Sequence, residues 1–147
     1  MHFVCRLETI EGPFYLDAFT HGRILSEEEC LDWLKRVSEL PEDIILRSLV
    51  PAEPRLIVMR MLTNLKSLYA QHENWKSLWK VQNRLCAMQP GNLQELRDLG
   101  IVSLQAGRPG MAVELLNDCL KTCQDENDRQ EMEHAIENAR LLLASMN

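Results

Sequence analysis

The chain has 147 residues, of which 46% are hydrophobic and 26% are charged. This balance is ordinary for a globular fold of one domain or two small units, and it excludes extended disorder. The formal net charge of −6 opposes a nucleic-acid partner, because phosphate binding needs clustered lysine and arginine side chains. The sequence also lacks a signal peptide and an apolar run long enough to cross a bilayer, so we expect a cytoplasmic protein with no membrane partner.

Five cysteines are spread along the chain, namely Cys5, Cys30, Cys86, Cys119 and Cys123. An odd count without a secretion signal argues against a disulfide framework, so we expect reduced thiols. Cys119 and Cys123 would share one face of a helix, but neither a CxxC motif nor a nearby histidine completes a set of metal ligands. We therefore expect no metal and no cofactor, and we interpret these cysteines as small buried residues.

The first 25 residues predict a small β structure. Two short apolar runs, His2 to Leu7 and Pro13 to Phe19, are separated by a turn sequence, Glu11-Gly12-Pro13. Such runs, flanking a glycine and a proline, are typical of a β-hairpin.

Helix signals begin at Ser26. Its hydroxyl can cap the backbone N–H of Glu29 while the Glu29 carboxylate reaches back, and Leu25 can pack on Cys30, which is a capping box with a hydrophobic staple. A second short helix is expected near residues 44–49. The proline-rich stretch 50–54 then marks the expected boundary between an N-terminal segment, 1–50, and a helical domain, 51–147.

Helical spacing dominates the second segment. Apolar residues predict helices over 54–71 and from Trp75 to about Met88, followed by a pair built around residues 96–102 and 111–120. A last helix, 128–146, is expected to start with Asp128 as its cap and to close the array.

Two copies of one pattern lie 34 residues apart in this region. The first copy contains Leu62, Leu65, Tyr69, Trp75, Leu78, Leu85 and Pro90, and the second contains Leu96, Leu99, Gly100, Ser103, Gly107, Ala112, Cys119 and Gln124. This is the tetratricopeptide spacing. It predicts a mainly α fold of two helical repeats, about 59–92 and 93–126, with a C-terminal capping helix and a small N-terminal β-hairpin and helix. Because such repeats present surfaces for binding, the pattern favours a protein-protein interaction module over an enzyme.

Longer stretches resemble a known family. The segments Arg60–Lys66, Glu95–Gly100, Tyr15–Phe19 and Gly22-Arg23 resemble the C-terminal portion of bacterial SirB-type proteins. These join a transglutaminase-like domain to a tetratricopeptide tail. The resemblance implies that residues 1–50 are a partial transglutaminase-like segment.

The resemblance also bears on catalysis. Transglutaminase-like folds use a Cys-His-Asp triad, in which His2 lies where the family's histidine strand begins and Asp17 matches its acidic position. The family's cysteine precedes the histidine, whereas this sequence starts at Met1 and Cys5 lies on the histidine strand itself. His2 and Asp17 are therefore vestigial candidates, with a terminal histidine and a turn acceptor as the simpler interpretations, and we expect no catalysis. The alternative is a fragment of a cysteine-dependent amidase, protease or acyl-transfer enzyme whose nucleophile-bearing half is absent.

A partner site is expected on the repeats. The geometry of the tetratricopeptide family places the second, fifth and sixth residues of each repeat on the concave face, which selects Arg60, Asn64, Arg97 and Asp98 as candidates. Their mixed charge suits a protein loop or an extended peptide, and a solvated helix surface is the alternative. A two-stranded hairpin is marginal alone in water, so we expect it either to dock on the helices or to pair with another chain by self-association.

Overall fold

A computed structural model describes residues 4–39 and 41–146 of the chain. The chain divides into two compact units, Met1–Glu53 and Pro54–Asn147. We call them the N-terminal unit and the helical unit and describe each by itself.

The N-terminal unit contains a three-stranded antiparallel sheet. Its strands β1 (Val4–Thr9), β2 (Gly12–Asp17) and β3 (Arg23–Ser26) follow one another in the order β1-β2-β3. The hairpin predicted from the sequence is thus present as β1 and β2, but the prediction omitted β3. Two adjacent residues with positive φ, His21 and Gly22, reverse the chain after β2. The sequence signals at Leu25 and Ser26 belong to the hydrophobic staple and the capping box of the next helix, and a strand of four residues has little pattern of its own.

One face of this sheet packs on helix α1 (Glu27–Val37). Side chains alternate across a strand, which directs Tyr15 and Leu25 to the same face, where both are buried together with Cys30 and Leu49. The predicted capping box is confirmed: Ser26 Oγ accepts from the Glu29 backbone N–H at 3.2 Å, and the Glu29 carboxylate accepts from the Ser26 N–H at 2.9 Å. A short helix α2 (Glu42–Ser48) follows.

Over its described residues, 54–146, the helical unit contains five helices that pack in sequence order. They are α3 (Pro54–Gln71), α4 (Trp75–Met88), α5 (Leu93–Gln105), α6 (Pro109–Leu120) and α7 (Glu126–Ser145). Each helix contacts the next, and α5 also contacts α7. The helices pair as α3 with α4 and α5 with α6, with α7 closing the array. The predicted fold class, mainly α with tetratricopeptide-like repeats and a capping helix, is therefore confirmed.

The prediction for the start of α7 was wrong in one respect. Asp128 does not cap the helix; Asp125 does, because its carboxylate accepts a hydrogen bond from the Asp128 backbone N–H at 2.9 Å. Both aspartates are spaced correctly for capping a nearby N–H, so local sequence could not separate them. The Asp128 side chain instead pairs with an arginine on α5, as described below.

Candidate functional site

A row of ion pairs connects α3, α5 and α7. From α3, Lys66 Nζ lies 3.1 Å from Glu95 Oε2 and 2.7 Å from Asp98 Oδ2 on α5. From α5, Arg97 pairs with Asp128 on α7 and lies 4.0 Å from Glu131 Oε2. We call these six side chains the polar wall: Lys66, Glu95, Arg97, Asp98, Asp128 and Glu131.

Neighbouring groups determine the protonation of Lys66 and Glu95 in the polar wall. Burial acts to lower the pKa of the Lys66 ammonium, but its hydrogen bonds and charge interactions with Asp98 and Glu95 outweigh this effect and raise it. Burial likewise acts to raise the pKa of Glu95, whereas hydrogen bonds from Gln82 and Lys66 hold that pKa below its usual value. Both groups are therefore charged at neutral pH.

Glu95 is also held from the side of α4. Gln82, which is fully buried, donates from Nε2 to the Glu95 carboxylate at 2.7 Å and to the Glu95 backbone oxygen at 2.8 Å. The Cys86 thiol donates to the same backbone oxygen at 3.0 Å. The Glu95 carboxylate thus has a fixed position, whereas most surface glutamates exchange among rotamers.

The four predicted partner-binding residues fall into two pairs. Arg60 is half-buried and Asn64 exposed, one turn apart on α3. Arg97 and Asp98 are half-buried neighbours on α5 and take part in the polar wall, with Arg97 reaching α7 and Asp98 reaching α3. The α5 pair therefore contributes to helix packing in addition to presenting charge.

Sequence reasoning missed the other four members of the polar wall. Lys66 stands 34 residues before Gly100, so the two residues occupy the same position in the two copies of the repeat. A long charged side chain in the first copy, where the second copy has glycine, was a signal that could have identified Lys66. Glu95 lies within one of the motifs of the family resemblance but was assigned no role. The pairing of Arg97 with Asp128 carried no sequence signal, because a separation of 31 residues lies outside any helix or strand period.

A cavity of about 420 Å³ lies beside Arg97. It is bounded by the first turns of α5 and α7 and by the segment that joins α6 to α7. Its lining is partly apolar, from Leu93 and Met132, and partly charged, from Arg97 and Asp128. A cavity of this volume and mixed lining can hold one side chain whose polar end faces the ion pair.

The predicted vestigial triad is only partly visible, because His2 lies outside the described residues. Asp17 ends β2 and is buried, with a relative exposure of 2%. Its carboxylate accepts hydrogen bonds from the Phe19 N–H at 2.9 Å and the Thr20 hydroxyl at 2.6 Å. Asp17 therefore orders the turn that leads into β3.

No described cysteine beside Asp17 has the environment of an activated thiol. Burial, followed by the charges of Asp17 and Glu27, raises the pKa of Cys30, and a raised pKa disfavours the nucleophilic thiolate. Cys5 is exposed. It is the register partner of Leu16, and alternation along the strand places Leu16 on the opposite sheet face from Asp17.

Trp79 contributes to the interface between α4 and α5. Its Nε1 donates to Ser103 Oγ at 3.0 Å, and the Ser103 hydroxyl donates to the Leu99 backbone oxygen at 2.6 Å. The Arg108 guanidinium lies 4.1 Å from the centroid of the Trp79 ring, a cation–π contact. The indole therefore has a packing role.

Comparison with known proteins yields matches to two families. Residues 1–63 match the transglutaminase-like superfamily, and residues 65–137 match the tetratricopeptide repeat family. No solved structure matches the chain significantly.

Curated relatives match most of the chain. A UPF0162 protein of Xylella fastidiosa (strain 9a5c) is 34% identical over 109 residues, covering 72% of this chain and 39% of the relative. The UPF0162 protein of strain Temecula1 is 33% identical over 126 residues, covering 84% and 44%. Protein SirB1 of Salmonella typhimurium is 23% identical over 123 residues, covering 84% and 46%. The chain thus spans less than half the length of these relatives.

The fold and the two family matches define a tetratricopeptide-type helical repeat protein that carries a transglutaminase-like segment at its N-terminal side. With the relatives, they place the chain among the SirB-type proteins, as the sequence motifs indicated. No helix of residues 4–39 or 41–146 is both long and apolar enough to cross a membrane.

Proposed function

We propose that the helical unit is a protein-interaction module that binds an extended peptide or a protein loop along α3, α5 and α7. The observation that carries the proposal is the polar wall, which extends over these three helices and keeps charges of both signs at fixed positions. Fixed charges of mixed sign favour a polypeptide of matching pattern, because each misplaced partner charge meets repulsion.

The cavity beside Arg97 supports an anchor point for such a ligand. Small binding interfaces depend on a few side chains that enter desolvated pockets. Here a partner side chain would contact Leu93 and Met132 and would approach the Arg97–Asp128 pair. Arg60 and Asn64 would contact the ligand further along, on α3.

We further propose that this chain does not catalyse acyl transfer or hydrolysis. In support, the Asp17 carboxylate accepts hydrogen bonds in a turn, and the pKa of Cys30 is raised. An amide or thioester substrate incubated with the purified chain should show no turnover. Turnover that a Cys30→Ser or Cys5→Ser variant abolishes would support the alternative, a cysteine-dependent enzyme fragment.

A peptide display library screened against the purified full chain tests the binding proposal. We expect a selected peptide whose binding is weakened at least several-fold by Arg60→Ala or Asn64→Ala and by high salt, because exposed charges are screened. The matched control is Glu114→Ala, an exposed substitution on α6, which should bind as the unmodified chain does. Peptides that bind equally to all three variants would show that Arg60 and Asn64 take no part in binding and would contradict a site that extends along α3.

A further inference from the structure

Strand β1 presents an open edge. In the three-stranded sheet it pairs only with β2, and within the described residues no strand lies on its other side. Every β1 residue after Val4 is exposed, and Ile10 in the adjoining turn is fully exposed. An exposed edge with free backbone groups is a template for pairing with another strand.

The β1–β2 register decides which backbone groups point outward. Glu8 is opposite Pro13, and proline has no N–H, so these two residues cannot form the pair that exchanges two hydrogen bonds. The hydrogen-bonded pairs of the hairpin are then those of Cys5, Leu7 and Thr9. The N–H and C=O groups of Arg6 and Glu8 consequently face the open edge.

The charges at these positions select one way to pair two copies of β1. Antiparallel pairing with Arg6 opposite Arg6 of the other copy, or Glu8 opposite Glu8, places like charges directly across from each other, which is destabilising. Pairing Arg6 with Glu8 of the other copy places opposite charges across the strands twice, with Leu7 opposite Leu7 on the twofold axis. Arg6 and Glu8 already share one sheet face, since Arg6 Nε lies 2.6 Å from Glu8 Oε1 within the strand.

The same register covers exposed apolar side chains. Leu7, which is 63% exposed, meets its own copy on the axis. Ile10 falls opposite Val4 of the other copy, and Val4 packs at the border of the buried cluster around Tyr15. A closed twofold contact of this kind is self-complementary by construction.

We propose that two copies of this chain associate through antiparallel β1–β1 pairing in this register, with reciprocal Arg6–Glu8 pairs and Leu7 at the centre. The sheet then becomes continuous over six strands. The association is weak, because one strand pair offers less area than a stable dimer buries.

Charge exchange tests the proposal on the full chain. Sedimentation equilibrium should show a monomer–dimer equilibrium, and Arg6→Glu or Glu8→Arg should each raise its dissociation constant roughly tenfold or more, because two attractive pairs become repulsive. The double variant Arg6→Glu with Glu8→Arg should restore dimerisation, since the pairs are re-formed with signs exchanged. A chain that stays monomeric up to its solubility limit, or a dimer indifferent to the single changes, would overturn the proposal.

Crosslinking tests the register. In a Cys5→Ser background, Leu7→Cys places two thiols opposite each other at a pair without mutual hydrogen bonds, where the side chains are closest. Mild oxidation should yield a disulfide-linked dimer. Thr9→Cys in the same background should not form a disulfide-linked dimer. The residue opposite position 9 is position 5 of the other copy, where the cysteine has been replaced by serine. Equal crosslinking of both variants would reject this register, and circular dichroism of each variant checks that the fold is retained.

Discussion

Leu116 fills the space beside Gly100 that any larger residue would need. A Cβ at Gly100 would stand 2.6 Å from Leu116 Cδ2 and 2.7 Å from its Cγ. Leu116, on α6, is itself fully buried and belongs to one apolar cluster with Met132 and Ile136 of α7. The close approach of α5 and α6 therefore depends on the absence of a side chain at Gly100.

Gly100→Leu should destabilise the helical unit by about 2 kcal/mol or more, because a bulky side chain cannot enter without separating α5 from α6. Urea denaturation followed by circular dichroism measures the change. Gly110→Ala on α6 is the matched control, since nothing lies within 4 Å of its added Cβ; it should be neutral or slightly stabilising. An unchanged midpoint for Gly100→Leu would disprove this packing.

Ser103→Ala should cost about 1–2 kcal/mol. The change removes the acceptor of the Trp79 indole N–H, and an unpaired donor in a partly buried site carries a desolvation penalty. Denaturation and the tryptophan fluorescence spectrum measure the effect. Ser77→Ala on α4 is a control, because the backbone N–H of Ser77 donates to Asn74 Oδ1 at 3.2 Å and the substitution leaves that bond in place. A loss of stability in Ser103→Ala no greater than in this control would argue against the Trp79–Ser103 bond.

The Lys66–Glu95 pair should make stability depend on pH at both extremes. The pKa of Glu95 is lowered in the fold, so its contribution is present above the pKa of the unfolded carboxyl and is lost as pH falls through the folded value. The pKa of Lys66 is raised, so its contribution is present below the pKa of the unfolded amine and is lost as pH rises through the folded value.

Glu95→Gln should therefore lower stability by about 1 kcal/mol or more at neutral pH and by less in acid, where the native carboxyl is protonated too. Urea midpoints measured from acid to neutral pH give the comparison. Glu114→Gln, on the exposed surface of α6, provides the control. A Glu95→Gln deficit of equal size at every pH would show that charge at this position does not matter.

Asp17→Ala should destabilise the N-terminal unit by about 1–3 kcal/mol, because the Phe19 N–H and the Thr20 hydroxyl lose their acceptor. Asp17→Asn keeps one carbonyl oxygen and should cost less. Amide hydrogen exchange of β2 and β3 reports the local effect. If both variants exchanged as slowly as the unmodified chain, the carboxylate would have no part in ordering this turn.

The periodicity of apolar residues in the sequence predicted most of the helices of the helical unit. The spacing of apolar residues from Pro54 onward gave the bounds of α3 and α4, and the 34-residue register located Gly100 at the contact between α5 and α6. These features follow from local rules, since residues three or four apart share a helix face whatever surrounds the helix. The capping box of Ser26 and Glu29 was equally local.

Only the tertiary structure decided how the polar residues pair. Arg97 and Asp98 are adjacent in the sequence, yet one reaches α7 and the other α3, and Lys66 meets carboxylates 29 and 32 residues away. Strand β3 is likewise defined only by its pairing with β2. The physical reason is that an ion pair or a strand pair is defined by two distant segments together, whereas a helix carries its backbone hydrogen bonds within a single segment.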